Sequence, residues 1–242
     1  MKNISVCIAT YNGEKYINEQ LLSILNQLSE NDEIIISDDT STDHTINIIK
    51  LINDDRIKIF KFNSNRNPSK NFENAINNSN GDIIILADQD DIWLENKVNI
   101  INKYLQNNDK IALIVCDNIE VTTDLKIINE SLFSYLNSGK GLLKNIIRNT
   151  YLGCNISFKK ELLQYCLPFP KNIPMYDVWI GLIAEIFSDT MFIDEKTMLH
   201  RRHNDTYTPP KTSLLKKIRW RIYLISNLCF RYMQIKLKGQ ND

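Results

Sequence analysis

The first half of the chain alternates short apolar runs with amphipathic stretches of about a dozen residues. The runs ISVCIAT, EIIISDD, IKIFKF and GDIIILADQD each have the pattern of a buried strand, and a stretch with apolar residues at helical spacing follows each of them. Strands that alternate with helices predict a mostly parallel sheet with helices on both faces, because each parallel connection needs a crossover. The sequence therefore favours the α/β class.

The alternation loosens after the run IALIVCDN, which ends at Asn118. The segment from Glu120 to Asn149 carries loop signals and one helical stretch, GLLKNIIRN. A helix around YDVWIGLIAEIF and a β-like run, MFIDEKTMLHRRH, come later. Since no repeat or low-complexity linker interrupts residues 1–210, we expect a single domain there, with 1–118 as its first half and 119–210 as its second.

Residues 211–242 form a basic tail behind an acidic body. The 242 residues carry no net charge, but eight Lys and Arg and no acid lie between Lys211 and Lys238, which leaves residues 1–210 at −7. The basic and aromatic residues of the tail predict an amphipathic helix that binds an anionic membrane surface. Packing on its own domain, or on a second subunit in a homodimer, is the alternative. The acidic body disfavours nucleic acid as a partner.

The cysteines and the apolar runs indicate the compartment. The five cysteines are scattered without C-x-x-C spacing, which favours free thiols in a reducing compartment over disulfides or a zinc site. No apolar run approaches the roughly 20 residues of a membrane span, and the N-terminus lacks a signal-peptide cleavage site. We expect a cytoplasmic protein that can lie on the inner face of the cell membrane.

Carboxylates cluster where two of the predicted strands end. The second strand ends in Asp38 and Asp39, and the fourth runs into Asp88, Asp90 and Asp91. Ligands of open parallel sheets bind at these ends, and crowded carboxylates raise one another's pKa unless a cation neutralises them. Oxygen ligands without cysteine favour Mg²⁺ or Mn²⁺ and, with it, a nucleotide diphosphate. For Asp91 alone, the alternative is that it caps a helix beginning near Ile92.

Two phosphate-binding motifs are missing from the sequence. Neither G-x-x-x-x-G-K-[ST] nor G-x-G-x-x-G occurs, and the chain has only seven glycines. The sequence therefore predicts that the metal, and not a glycine-rich loop, binds the phosphates.

Four segments together carry a family resemblance: SVCIATYNGEKYINEQLLSIL, IIISDDTSTDHT, NPSKNFENAINNSNGDIIILADQDDIW and LGCNISF. They resemble the inverting glycosyltransferases of family 2, and DQDDIW with its upstream NF is similar to the rhamnosyltransferase-like branch of bacterial surface-polysaccharide synthesis. The resemblance implies the GT-A fold, with 1–118 as the nucleotide-sugar half and 119–210 as the acceptor half. It also implies transfer from a UDP- or dTDP-sugar to a saccharide, which can be lipid-linked.

The resemblance assigns a nucleoside site by position. It implies that Thr10, Tyr11 and either Asp38 or Asp39 bind the nucleoside, and an aromatic face with an ionised acceptor suits a base and a ribose. The family usually has Gly where this chain has Thr40, and a residue other than Gly has less access to positive φ.

The resemblance also assigns the metal and diphosphate contacts. Asp88 and Asp90 match the family's D-x-D element, with Asp90 as the direct metal ligand and Asp88 at the metal or the donor ribose or sugar. His203 is implied as a further metal ligand or diphosphate contact. Arg201 or Arg202 is implied as a partner of the phosphate oxygens.

An inverting transfer needs one base to deprotonate the acceptor hydroxyl. The resemblance places this base at the start of a helix in the second half, where Asp177 lies, with Trp179 near enough to flank a sugar ring. A structural role is the alternative for Asp177, because acids are favoured in the first turn of a helix. Glu185, two turns deeper, is the weaker candidate for the base.

Two other functions stay open at this point. A sugar nucleotidyltransferase would share the broad fold, but the missing glycine-rich N-terminal loop disfavours it. A non-catalytic subunit that binds a nucleotide sugar, and whose tail recruits a partner enzyme, is the second alternative.

Overall fold

The structure, a computed structural model, describes residues 2–106, 108–171, 173, 175–203 and 213–238. The strands within these ranges are β1 (Ile4–Thr10), β2 (Glu33–Asp38), β3 (Ile57–Lys61), β4 (Ile83–Ala87), β5 (Ile92–Trp93), β6 (Ile111–Thr122), β7 (Ile127–Asn129), β8 (Ile156–Lys159) and β9 (Asp189–Arg202). The helices are α1 (Ile17–Leu25), α2 (Thr45–Ile52), α3 (Pro68–Asn77), α4 (Lys97–Gln106), α5 (Leu132–Leu136), α6 (Leu142–Ile147), α7 (Leu163–Cys166), α8 (Tyr176–Phe187) and α9 (Leu214–Lys238).

One mixed sheet runs through the described residues in the order β3-β2-β1-β4-β8-β6-β9-β5, with β7 beside β6. β3, β2, β1 and β4 are parallel, as the alternation predicts. β8 is antiparallel to both β4 and β6, while β6 and β9 are parallel. The predicted α/β fold is confirmed, and its block of four adjacent parallel strands lies in the first half of the chain.

Helices cover both faces of the sheet. In β1, Val6 and Ile8 belong to one buried apolar cluster and Cys7, between them, to the other. Successive side chains of a strand point to opposite faces, so the two clusters are the cores on either side of the sheet. α1 and α4 contribute to the first core, and α3, α8 and α9 to the second.

The helix that the sequence predicts from Ile92 begins only at Lys97. Ile92 and Trp93 form β5 and pair with β9, so the prediction that Asp91 caps a helix is wrong. The carboxylate of Asp91 accepts instead from the ring of His200 and from the backbone N–H of the next residue. These partners lie over 100 positions away, and no local pattern reveals them.

Trp179 is fully buried, and the prediction that it flanks a sugar ring is wrong. Its indole N–H donates to the carbonyl of Cys166 at 2.9 Å, and the guanidinium of Arg231 lies 5.4 Å from its ring centroid. Residues 176–184 are all buried, as expected for a helix with little polar surface. Trp179 therefore belongs to the core, although it lies only two positions after Asp177.

The predicted C-terminal helix is confirmed as α9, and one of its faces packs on its own domain. Leu224 and Leu228 lie in the second core, and Arg231 donates to the backbone carbonyls of Tyr165, Leu167 and Pro168. None of the described helices, α9 included, has both the length and the apolarity needed to cross a bilayer. The boundary predicted after residue 210 lies outside the described residues.

Thr40 adopts a φ of 56°, in the left-handed region that the Gly of related sequences would favour. This region costs a residue with a Cβ about 1–2 kcal/mol, while Asn tolerates it better. We therefore expect Thr40→Asn to raise the free energy of unfolding by about 1 kcal/mol, measured by urea denaturation. Asn53, at φ 51° after α2, provides the reverse control, since Asn53→Thr should lower it. Equal free energies of unfolding for the wild-type protein and Thr40→Asn would show that the backbone at Thr40 is not strained.

Candidate active site

Asp88, Asp90 and Asp91 follow β4 directly, at the carboxyl edge of the parallel part of the sheet. Each offers a carboxylate oxygen, and these oxygens all lie within 4.8 Å of one another. Burial raises the pKa of Asp88 to about 8, and the charges of Asp91 and Asp90 add to the rise. Burial also raises the pKa of Asp90, against the opposing effect of a hydrogen bond to His203. The crowding that the sequence predicts is therefore present.

The acidic cluster fits a hard divalent cation. The Oδ2 atom of Asp91 is buried without a hydrogen-bond partner among the described residues, which is costly for an anionic oxygen unless a cation compensates it. Nε2 of His203 lies 2.7 Å from Oδ2 of Asp90, so two of the predicted metal ligands are adjacent. Carboxylate oxygens suit Mg²⁺ or Mn²⁺. The Cys154 sulfur, a His200 ring nitrogen and an Asp91 oxygen also lie within 4.8 Å of one another, so the expectation of a site without cysteine is wrong.

His200, which the sequence analysis missed, fixes the position of Asp91. Its Nδ1 lies 3.1 Å from Oδ1 of Asp91. Burial lowers the pKa of His200, but the charge of Asp91 and the hydrogen bond outweigh this effect and raise the pKa to about 9. A protonated ring therefore supports the acidic cluster. The sequence signal for His200 is its place in LHRRH, beside the two arginines and His203.

A second buried cation, Lys97, was also missed. Its Nζ donates to the carbonyl of Cys154 at 3.0 Å and lies 4.7 Å from the ring centroid of Trp93. Burial lowers the pKa of Lys97, while the charges of Asp91 and Asp88 are among the effects that raise it. Lys97 ties the start of α4 to the LGCN segment beside the cluster.

The predicted nucleoside residues lie at the ends of β1 and β2. The hydroxyl of Thr10 donates to Oδ1 of Asp38 at 3.0 Å, and Ser41 donates to the same carboxylate. Asp39 accepts from the backbone N–H and the hydroxyl of Ser64, in the loop after β3. Both buried carboxylates thus order loops at this edge, and their contacts with a nucleoside stay predictions.

Gln89, the middle residue of the D-x-D element, links that element to Tyr11. Its Oε1 accepts from the backbone N–H of Tyr11 at 3.0 Å, and its Nε2 donates to the carbonyl of Tyr11 at 3.1 Å. The guanidinium of Arg66 lies 5.2 Å from the centroid of the Tyr11 ring. The structure therefore brings the predicted base-binding aromatic residue and the predicted metal ligands together.

Arg201 and Arg202 both lie at the end of β9. The buried guanidinium of Arg201 donates to the carbonyl of Asp90 at 3.0 Å and to the carboxylate of Glu19. The half-exposed side chain of Arg202 donates to Glu120. Arg201 thus lies against the cluster through protein contacts, and the pairing of either arginine with phosphate stays a prediction.

Asp177 lies in the first turn of α8, as predicted for the base. Burial raises the pKa of Asp177 to about 7, although hydrogen bonds from the backbone N–H of Val178 and the side chain of Asn149 favour the ionised form. Burial raises the pKa of Tyr176 well above its ordinary value, and the charges of Asp88 and Asp177 raise it further. The charges of the acidic cluster and of the candidate base therefore both act on Tyr176.

Glu185, the alternative base, is held by other groups. Its carboxylate accepts from the hydroxyl of Tyr151 at 2.6 Å and from the backbone N–H of Gly141 at 3.0 Å. These bonds tie α8 to the start of α6 and to the segment before β8. Their geometry favours a structural role for Glu185.

The mixed sheet with an acidic cluster at its carboxyl edge has the arrangement of the GT-A fold. The model of Glycosyl transferase family 2 matches residues 5–167, and the chain belongs to this family. The predicted resemblance to family 2 enzymes of surface-polysaccharide synthesis is thereby confirmed.

Relatives and solved structures similar to the chain include the following three. The dTDP-rhamnosyl transferase RfbG of Shigella flexneri is 30% identical over 93% of this chain and 81% of its own length. The UDP-Glc:alpha-D-GlcNAc-diphosphoundecaprenol beta-1,3-glucosyltransferase WfgD of Escherichia coli is 25% identical over 75% of this chain and 70% of its own. Glucosyl-3-phosphoglycerate synthase of Mycobacterium tuberculosis, solved with Mn²⁺, uridine diphosphate and phosphoglyceric acid, superimposes with a TM-score of 0.61 at 19% identity, covering 95% of this chain and 78% of its own.

Proposed function

We propose that the chain is a metal-dependent, inverting glycosyltransferase that moves a sugar, with rhamnose as the first candidate, from a dTDP- or UDP-sugar to a lipid-linked saccharide. The observation that carries this proposal is the crowding of Asp88, Asp90 and Asp91 at the carboxyl edge of the sheet. A site of this kind needs a cation, and the cation suits a diphosphate.

In the proposed mechanism, Asp88, Asp90 and His203 would hold the cation, and the ring of Tyr11 would contact the nucleobase of the donor. When bound, the cation stabilises the charge that develops on the departing diphosphate. The carboxylate of Asp177 takes the proton of the acceptor hydroxyl while the hydroxyl oxygen bonds to the anomeric carbon. The bond from that carbon to the diphosphate oxygen breaks, and its electron pair leaves with the nucleoside diphosphate. A base whose pKa lies near 7 suits this proton transfer at neutral pH.

The names of the relatives support the substrate classes of the proposal. RfbG is named for a dTDP-linked rhamnosyl donor, and WfgD for a UDP-linked donor and a diphosphoundecaprenol acceptor. An acceptor of the second kind lies in a membrane. The proposal therefore has the enzyme working at the inner face of the cell membrane, the location that the sequence predicts.

The test measures release of the nucleoside diphosphate from dTDP-rhamnose and UDP-glucose, with Mg²⁺ or Mn²⁺ and a diphospholipid-linked saccharide. We expect release that requires both the cation and the acceptor, with a product of inverted anomeric configuration. Pyrophosphate release from a nucleoside triphosphate would favour the nucleotidyltransferase instead. Thermal stabilisation by a nucleotide sugar without turnover on any acceptor would favour the binding subunit.

A further inference from the structure

The outer face of α9 is apolar and exposed along the whole helix. Leu224 and Leu228 face the core, but on the opposite side Leu215 is 80% exposed, Ile222 60% and Met233 54%. A large exposed apolar patch marks a site of interaction. Among the described residues nothing covers this face of α9, which therefore calls for a partner.

A second helix extends this patch. In α6, Leu143 is 74% exposed and Ile147 is 65% exposed. Arg221 of α9 donates to the carbonyls of Ile146 and Ile147, so the end of α6 lies against the first half of α9. We call the two exposed faces together the α6–α9 surface. Its central apolar residues are Leu143, Ile147, Leu215, Ile218, Ile222 and Ile225.

The two segments that form the α6–α9 surface carry charges of one sign, and the acids packed beside α6, Asp189 and Glu185, are held by Lys140 and by Gly141 and Tyr151. Neither 132–149 nor 213–238 contains an acid, while Lys216, Arg219 and Lys236 are exposed on α9. The ammonium groups of Lys216 and Lys236 lie 5.3 and 5.7 Å from the ring centroids of Trp220 and Tyr232. Apolar side chains flanked by cations and aromatic rings are typical of helices that lie in a membrane interface.

We propose that the α6–α9 surface docks on an anionic lipid membrane, with its apolar side chains in the acyl boundary and its cations among the lipid phosphates. The purpose of this docking, access to a lipid-linked acceptor, rests on the proposed function. α6 ends at Ile147, two residues before Asn149, whose side chain is among the groups that lower the pKa of Asp177. The α6–α9 surface and the segment beside the candidate base are therefore close along the chain.

A second copy of the chain fits this surface less well. The spacing of residues 215, 218, 222, 225, 229 and 232 matches the narrow seam of a coiled coil. Such a seam would leave Phe230 and Leu237, which are 56% and 62% exposed, outside the contact. It would also bring two basic faces together, whereas anionic lipid neutralises them. The breadth and the charge of the surface both favour the membrane.

Cys229 offers a probe for the experiment, since it is exposed while the other four cysteines are buried. A polarity-sensitive fluorophore is attached to Cys229 of the full chain, which is titrated with vesicles of phosphatidylcholine alone or mixed with phosphatidylglycerol. We expect a blue shift and co-sedimentation only with the mixed vesicles. The double variant Leu143→Ser/Ile147→Ser should bind at least about tenfold more weakly, and Lys216→Gln/Arg219→Gln about fivefold more weakly for each cation removed.

Leu51→Ser is the matched control, because Leu51 is 83% exposed on α2 and should not affect binding. No binding to mixed vesicles, or equal binding to both kinds, would overturn the proposal. A second outcome would also overturn the proposal: sedimentation shows a dimer, Ile222→Ser dissociates that dimer, and the protein has no affinity for vesicles. The vesicle assay contains neither donor nor acceptor. It therefore tests membrane binding independently of whether the proposed function is correct.

Discussion

Asp90→Asn is expected to lower release of the nucleoside diphosphate by about 10³-fold, measured at saturating donor and cation. The carboxylate of Asp90 lies beside those of Asp88 and Asp91 and accepts from His203 at 2.7 Å. Asn keeps the shape of the side chain but removes one of the charges that attract the cation. The thermal stabilisation that Mn²⁺ gives the wild-type protein should disappear in the same variant.

Asp124→Asn is the control for this prediction, because it removes one carboxylate from an exposed turn between β6 and β7. It should leave both the turnover and the effect of Mn²⁺ unchanged. If Asp90→Asn kept wild-type turnover while Mn²⁺ still stabilised it, the acidic cluster would not be the metal site. Loss of turnover with intact Mn²⁺ stabilisation would assign Asp90 to the donor instead.

The part of the site that sequence reasoning found is local. Asp88 and Asp90 directly follow β4, and Asp38 ends β2. The rule that parallel strands present their carboxyl ends at one edge is then enough to bring these residues together. The same locality explains why the strand-and-helix order of the first half could be predicted from its alternation.

The part that it missed depends on pairing across the chain. His200 reaches Asp91 only because β9 pairs with β5, and the two residues are 109 positions apart. The carbonyl that Lys97 binds belongs to Cys154, 57 positions away. Trp179 is the opposite case. Its place near Asp177 in the sequence suggested a sugar contact, but its packing in the second core excludes one.

Asp177→Asn is expected to lower sugar transfer by about 10²–10⁴-fold, the usual contribution of a general base. The affinity for the donor should not change, because Asp177 lies on α8 and the predicted nucleoside residues lie at the ends of β1 and β2. The measurement pairs the transfer rate with the thermal shift that the donor produces. Wild-type transfer by this variant would remove Asp177 from the role of base.

The pH dependence gives the sharper test of the base. The wild-type rate should rise with pH through about 7 as Asp177 loses its proton, and Asp177→Asn should lack this rise. Because the folded-state pKa lies above the unfolded value of about 4, ionisation of Asp177 also costs stability. The wild-type protein should lose stability between about pH 4 and about pH 7, and the variant should lose less, because the raised pKa of Asp88, about 8, gives both proteins a loss of the same sign.

Glu185→Gln separates the two candidate bases. Its carboxylate accepts from Tyr151 and Gly141, so the variant should unfold at lower temperature yet keep the rise in rate near pH 7. If the rise vanished in Glu185→Gln and persisted in Asp177→Asn, Glu185 would be the base. The geometry predicts the opposite, because hydrogen bonds from Tyr151 and Gly141 already occupy the carboxylate of Glu185.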